Sequence, residues 1–329
     1  NVFEFVGCNL KVGRVKINLI NCFSDNFAIF SFDNNKHFVA KDYPFNINNG
    51  GSIALCSNKS ACNNFLCELG YSIPKEKYFV KKSNINISLN EIERCLCNPE
   101  LNLGFTYPMV VKPNDLSQGE GVFIVKNKVE GLRYAQEAFS KSKMILLQEY
   151  CYGNEYRIVV LKGKILQAYQ RLPFYIVGDG KKTINTLIQK KIILFDEYGR
   201  DKKIDIKDSR IFKHISDAGY TENSVLPNGV MLKLQDIANL SLGGESKDVL
   251  NTMAQEFSEL AIAIANDFNL NLCGIDIIAK DISNFSLGYR ILEINSAPGL
   301  DNYLFDKKKQ EKYVEDLYSK ILDEVKNFT

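Results

Sequence analysis

The sequence predicts a chain of mixed strands and helices, α/β or α+β in class, and three observations carry that prediction. β-Branched runs flank a polar loop in "YPMVVKPNDLSQGEGVFIV" (107–125). Val249, Met253, Phe257, Leu260, Ile264 and Phe268 recur every three or four residues, which puts an apolar stripe on a helix over 248–268. Compact apolar runs at "LCGIDIIA" (272–279) and "YRILEIN" (289–295) have the length and β-branched content of strands.

The remaining elements follow in order. "RVKINLI" (14–20) and "FAIFSF" (27–32) read as strands around the turn-prone "NCFSDN". The Asn- and Gly-rich "NINNGGS" (46–52) is the best first linker, and 59–69 has helical spacing ending at Gly70, a C-cap residue. After the two strands of the quoted stretch come a short amphipathic helix at 129–139 and strands at 144–150 and 155–161, joined through "CYGN". From 205 to 247 the periodicity fades, which predicts a substrate-facing loop system or a poorly ordered segment. A terminal helix near 309–328 closes the chain, with "DKKKQEK" as its solvated start. No repeat or low-complexity segment interrupts this order.

The 329 residues allow two domains with sizeable cores. Lys plus Arg is 41 against 39 Asp plus Glu, a net +2 without any basic block, so a nucleic-acid partner is not expected. Nine cysteines, at 8, 22, 56, 62, 67, 95, 97, 151 and 273, lack paired metal spacing, and there are only two histidines, His37 and His214. Reduced thiols are the expectation, and His214 has no evident partner in sequence. No charged-then-apolar leader precedes the first strand, and no apolar run has membrane-spanning length. A cytoplasmic protein is therefore expected.

Chemistry can be placed at three points. Residues two apart on a strand share a face, so Glu293 and Asn295 project together, and Asp276 joins them if the two late strands are neighbours. Two carboxylates and an amide oxygen suit Mg²⁺; the same residues also fit a hairpin with a polar outer face. The "LSQGEG" loop, with Ser117, Gln118, Gly119 and Gly121, offers backbone N–H groups for an anion-binding nest, and Lys112 sits at its root. A long hairpin turn is the alternative. "GDGKKT" (178–183) is no Walker A loop, because Lys182 stands where Ser or Thr should be, and protein-kinase signatures are missing. In "LQEYCYGNEYR" the main chain can read an adenine edge and Glu155 can accept from ribose hydroxyls, or the segment is a plain β-connection.

Taken together and in this order, Lys59 in "SNKSACNNFL", Lys112 in "VVKP", the "SQGEG" loop, "QEYCYGNE", "GIDII" and "EINSAPG" resemble the ATP-grasp ligases. "RLPFYIVGDGKKTINTLI" (171–188) and "GYTENSVLPNGVMLKLQDIANLSLGGESKDV" (219–249) are more distinctive, and resemble cyanophycin synthetase and the ligase half of bifunctional glutathione synthetase. The likeness spans roughly residues 55 to 305, and the first fifty residues carry no motif of that family.

The resemblance implies an ATP-grasp fold: two α+β subdomains sandwiching ATP, with a small N-terminal β-containing domain. The division it suggests is 1–54 for the small domain, 55–147 for a lid subdomain and 148–329 for a metal- and substrate-bearing subdomain. It implies phosphate contacts from Lys59 and Lys112 under the "SQGEG" flap. Gln148 and the backbone of Glu149 and Cys151 would read adenine, and Glu155 the ribose. Asp276, Glu293 and Asn295 would hold two Mg²⁺ ions, with Mn²⁺ as a substitute. Arg157, Arg171 and Arg210 are candidate guanidinium ligands for carboxylate or phosphoryl charge, and Ser241, Gly243 and Gly244 of "NLSLGG" candidate N–H donors. The implied activity is ATP-dependent joining of a small-molecule carboxylate to an amine, an amino acid or short peptide, through an acyl phosphate. A kinase on the same framework and a non-catalytic nucleotide-binding module are the other readings. No membrane partner is expected, and a homodimer stays open.

Overall fold

A computed structural model of the chain describes residues 10–12, 15–24, 27–32, 35–40, 47–116, 119–197, 204, 208–238, 240, 243–300 and 307–325. Its strands are β1 (Leu10–Val12), β2 (Val15–Ser24), β3 (Phe27–Phe32), β4 (Asn35–Ala40), β5 (Glu76–Val80), β6 (Met109–Pro113), β7 (Phe123–Val125) and β8 (Met144–Glu149). These are followed by β9 (Asn154–Leu161), β10 (Lys164–Leu172), β11 (Tyr175–Val177), β12 (Met231–Lys233), β13 (Glu245–Asp248), β14 (Leu272–Ala279) and β15 (Tyr289–Asn295). The helices are α1 (Gly50–Ser57), α2 (Lys59–Glu68), α3 (Ile85–Cys97), α4 (Pro99–Leu103), α5 (Lys128–Lys141), α6 (Ile184–Glu197), α7 (Ser209–Asp217), α8 (Gln255–Asp267) and α9 (Lys307–Val325). The chain divides into two compact units, one of Asn1–Ile53, Arg157–Gly274 and Ser296–Thr329, the other of Ala54–Tyr156 and Ile275–Asn295.

In the first unit, β1 to β4 form an antiparallel meander in sequence order. The stretch expected as a linker is tied to the later chain through Asn48. Asn48 is buried, its Nδ2 donates to the carbonyls of Leu272 (2.7 Å) and Ser296 (2.8 Å), and its Oδ1 accepts from the amides of Asn271 (2.8 Å) and Leu272 (3.0 Å). α1 begins two residues later.

The 205–247 region also departs from expectation. α6 and α7 pack on the two-stranded β11–β12 sheet around Phe174, Ile188, Phe195, Ile211 and Leu232, all buried. Its helix α7 is nine residues and its strand three, too short for a periodic signal to emerge from sequence. The long helix expected from 248 starts at Gln255. Val249 keeps extended pairing, donating its amide to Ala168 O (3.0 Å), so the first two members of the apolar stripe belong to the end of β13 and a turn. β10 and β13 lie in a five-stranded sheet of order β13-β10-β9-β14-β15.

The second unit holds an antiparallel sheet of order β5-β8-β6-β7. Strand alternation divides its side chains cleanly. Phe79, Met109, Val111, Ile145 and Leu147 face α3 and α5, where Ile92, Leu96, Ala135 and Phe139 complete a closed core. The opposite face carries Glu76, Lys112, Leu146 and Gln148, by the same registers. Lys112 (7% exposed) and Gln148 (3%) are buried there although both are polar. Burial pushes the Lys112 ammonium below its ordinary range, while Glu76 and Glu293 pull it back up. Burial likewise raises the Glu76 carboxyl above its ordinary 4.5, against the opposing pull of Lys112, Asn63 and Gln148.

Two predictions follow from this packing. Asn48→Ala strands two carbonyls and two amides at once, all but the Asn271 amide buried, and is expected to cost about 3 kcal/mol or more; an unchanged urea midpoint would refute it. Glu76 binds its proton more tightly folded than unfolded, so the contribution of this carboxyl to wild-type stability is lost as pH rises past the ordinary value of 4.5. Glu76→Gln lacks that ionisation, and its thermal midpoint should gain on wild type across that same rise in pH. Parallel midpoint curves would exclude it.

Candidate active site

The root of the quoted loop is tied to the start of α2 by short polar side chains. Asn58 caps α2, its Oδ1 accepting from the Ala61 amide (3.2 Å), the Ser60 hydroxyl (2.9 Å) and Asn114 Nδ2 (3.2 Å). Asn114, just past β6, returns an acceptor to the Ser60 amide at 3.0 Å. Lys59, first residue of the helix, donates its ammonium to the Leu116 carbonyl in the same loop. Gly121 has φ +69°, and a Cβ there would lie 2.8 Å from Pro113 Cγ, so only glycine lets the loop fold back over β6. Gly119 also has positive φ; Ser117 and Gln118 lie outside the described residues.

Next to this root the polar face of the sheet forms a chain. Lys112 Nζ donates to Gln148 Oε1 (3.1 Å), Gln148 Nε2 to Glu76 Oε2 (2.8 Å), and Asn63 Nδ2 to the same Oε2 (2.8 Å). Glu76 and Asn63 were not expected from sequence. A carboxylate in an alternating strand faces water by default, and its partner Gln148 lies 72 positions on. Glu149 turns back on Lys75: its carboxylate accepts the Lys75 amide (3.1 Å) and its own amide donates to Lys75 O (2.8 Å). The half-buried Cys151 thiol, pushed up to about 11 by burial and by Glu149, points to Glu149 O at 3.8 Å. Glu155, in β9, belongs to the same unit.

The late strands carry the acidic group into this unit. Asn295 Nδ2 donates to Glu293 Oε1 at 3.0 Å and Asp276 Oδ2 at 3.4 Å. Asp276 is 2% exposed. α2 meets β15, with the buried Cys62 thiol against Cys56 and the Ile294 backbone; Cys56 and then burial raise that thiol well above its ordinary range. Glu293 and Lys59 both act on the charge of Lys112, which ties the acidic group to the two lysines. The donors fit a hard divalent cation: two carboxylates and one amide converge, and the amide NH₂ occupies the position between the carboxylates that a positive charge would take. Turning that amide presents Oδ1 instead.

The other expected residues lie in the first unit. Arg157, in β9, is 8% exposed. Arg171 of β10 stands opposite Ser246 of β13. Arg210 grips Asp208, the cap of α7, through Nε (3.0 Å to both oxygens) and Nη2 (2.6 Å). Burial would raise that carboxyl, but the guanidinium and the Arg210 amide hold it below its ordinary range. Gly243 has φ +93°, and a Cβ would meet the Phe174 ring at 2.8 Å, so its glycine is demanded by packing of the loop on the α6–α7 core. Gly244 is buried beside it, and Ser241 lies outside the described residues. "GDG" forms a turn in which Asp179 Oδ1 accepts the amides of Lys181 (2.9 Å) and Lys182 (2.7 Å). His214, without a partner in sequence, meets Asp236 Oδ2 at 3.3 Å.

Residues 232–317 match the RimK-like ATP-grasp domain. The chain is 35% identical over 202 residues to cyanophycin synthetase of Trichormus variabilis, covering 59% of this chain and 22% of that protein. It is 33% identical over 178 residues to the bifunctional glutathione biosynthesis protein of Streptococcus agalactiae, covering 52% and 24%. The chain thus spans less than a third of the length of these curated relatives. A crystal structure of a bifunctional glutathione synthetase from Pasteurella multocida superposes with TM-score 0.56 at 21% identity, over 92% of this chain and 42% of that one. Among the described residues no helix is long and apolar enough to cross a membrane. The chain is thus similar in sequence to these two proteins over more than half of its length, its residues 232–317 match the RimK-like ATP-grasp domain, and its fold resembles that of the glutathione synthetase structure.

Proposed function

We propose that this chain is an ATP-dependent ligase that joins a carboxylate to an amine, an amino acid or short peptide, by way of an acyl phosphate. The observation that carries this reading is the assembly, in one compact unit, of Lys59, Lys112 and Gln148 with Asp276, Glu293 and Asn295. Two ammonium groups next to an acidic, oxygen-rich set are what a triphosphate with its cations requires.

Asp276, Glu293 and Asn295 would hold divalent cations that neutralise charge on the triphosphate. The lysines act by position. Lys59 exchanges the Leu116 carbonyl for a phosphate oxygen, and because that carbonyl belongs to the loop, the exchange releases the loop to cover the nucleotide. Buried Lys112, whose charge is disfavoured before ligand arrives, gains most from an anion. Gln148 lines the base and Glu155 the ribose. Arg157, Arg171 and Arg210, with Ser241, Gly243 and Gly244, are the candidates for holding the carboxylate and the amine. In the reaction the carboxylate takes the γ-phosphoryl group, ADP leaves, and the amine displaces phosphate. An acyl phosphate hydrolyses readily, which gives a closing loop its purpose. Small-molecule partners and turnover in the cytoplasm complete the reading.

Incubation with ATP, Mg²⁺ and pools of amino acids and dipeptides should give amine-dependent phosphate release and a new amide mass. A phosphoester product would show a kinase instead. Glu293→Ala should lose on the order of 10³-fold or more in ADP formation with an unchanged melting midpoint; wild-type turnover by that folded variant would remove Glu293 from the metal set.

A further inference from the structure

Glu76 is the group in this site whose presence the fold does not explain. It stands directly opposite Gln148 across the β5–β8 ladder. Both Gln148 Nε2 and Asn63 Nδ2 donate to its Oε2 at 2.8 Å. Its Oε1 is buried with no hydrogen-bond partner among the described residues. A half-satisfied carboxylate on a sheet face weakens the fold, and a native protein that keeps one needs a reason.

The reason is legible in the chemistry of the neighbouring amide. A glutamine side chain has an acceptor arm and a donor arm of nearly equal shape, and either can point either way. An ionised carboxylate accepts only, so it fixes the donor arm of Gln148 towards β5. The acceptor arm, Oε1, is thereby turned the other way, where it meets the Lys112 ammonium at 3.1 Å. Asn63 steadies the carboxylate from its far side. An acceptor held in that orientation matches a base that presents an amino group and repels one that presents a carbonyl. Adenine and guanine differ in this way at the same ring position.

We propose that Glu76 is a positioning residue that sets base selectivity, holding the Gln148 amide with its oxygen towards the nucleotide so that adenine is preferred over guanine. This rests on the reading above, in which Gln148 lines the base. Glu76 itself need not touch the nucleotide.

The test is calorimetric binding of ATP and GTP, each with Mg²⁺, to the full chain. Wild type should bind ATP more tightly. In Glu76→Gln the residue at 76 can donate as well as accept, the Gln148 amide is free to turn, and the ATP-over-GTP ratio should fall about tenfold, the worth of one hydrogen bond of ordinary strength. Glu76→Met, which cannot accept at all, should show the same loss. The exchange Glu76→Gln with Gln148→Glu places an acceptor-only group at 148, held by a donor at 76, and should restore the ratio. An unchanged ratio in both single variants, or equal weakening of ATP and GTP, would overturn the proposal and leave the nucleotide site standing. Failure of the exchange to restore the ratio also counts against it. Wild type binding neither nucleotide would overturn the site itself, and this proposal with it.

Discussion

Burial of charge on one face of a β-sheet is the constraint on which the site depends. A strand has two faces, and in the β5-β8-β6-β7 sheet one of them is committed to α3 and α5. Every second residue must then project from the other, and there Lys112 and Gln148 are almost as buried as the core itself. Removing an ammonium from water costs several kcal/mol unless opposite charge and hydrogen bonds offset it. The offset here is partial: Lys112 is drawn back towards its charged form by Glu76 and Glu293 and pushed from it by burial and by Lys59. In the proposed reading a polyanion with its cations completes that balance.

That incompleteness sorts the residues around it. Groups that only build the loop root hold one another: Asn58 Oδ1 accepts from Asn114, Ser60 and Ala61, and Asn114 Oδ1 from the Ser60 amide, at ordinary distances. Groups expected to meet ligand are held by partners that a ligand can replace. Lys59 rests on a loop carbonyl, and Asn295 turns its NH₂ to the carboxylates it would otherwise join as a donor of oxygen. The contrast is one of preorganisation: the frame is closed before binding, and only the terminal atoms have to change partner.

How much of this a sequence reveals depends on how local the determining interactions are. β3, β14 and β15 were legible to the residue, because composition within seven or eight positions decides them. The acidic group was legible too, since two of its members are two apart on one strand. The start of α8 was not. Val249 and Met253 continue its apolar stripe, but the Val249 amide is claimed by Ala168, 81 positions earlier, and the ladder wins over the helix. Asn48 was hidden in the same way. Its Asn- and Gly-rich surroundings predict a linker, whereas the three residues it bonds lie more than 220 positions on.

Glu76 marks the limit of reading by pattern. In "EKYFV" only Phe79 is buried, and the exposed members on either side give a carboxylate no reason to stand out. What distinguishes it is a register: pairing β5 with β8 sets Glu76 opposite Gln148, and pairing β6 with β8 sets Lys112 on the diagonal. A slip of one residue in either pairing would turn the whole row to the opposite face and dissolve the chain of hydrogen bonds. The apolar face forbids that slip, since it would drive Phe79, Ile145 and Leu147 out of the core. The packing of the hydrophobic side therefore fixes the polar side, and the chemistry of the site is specified by residues that never approach it.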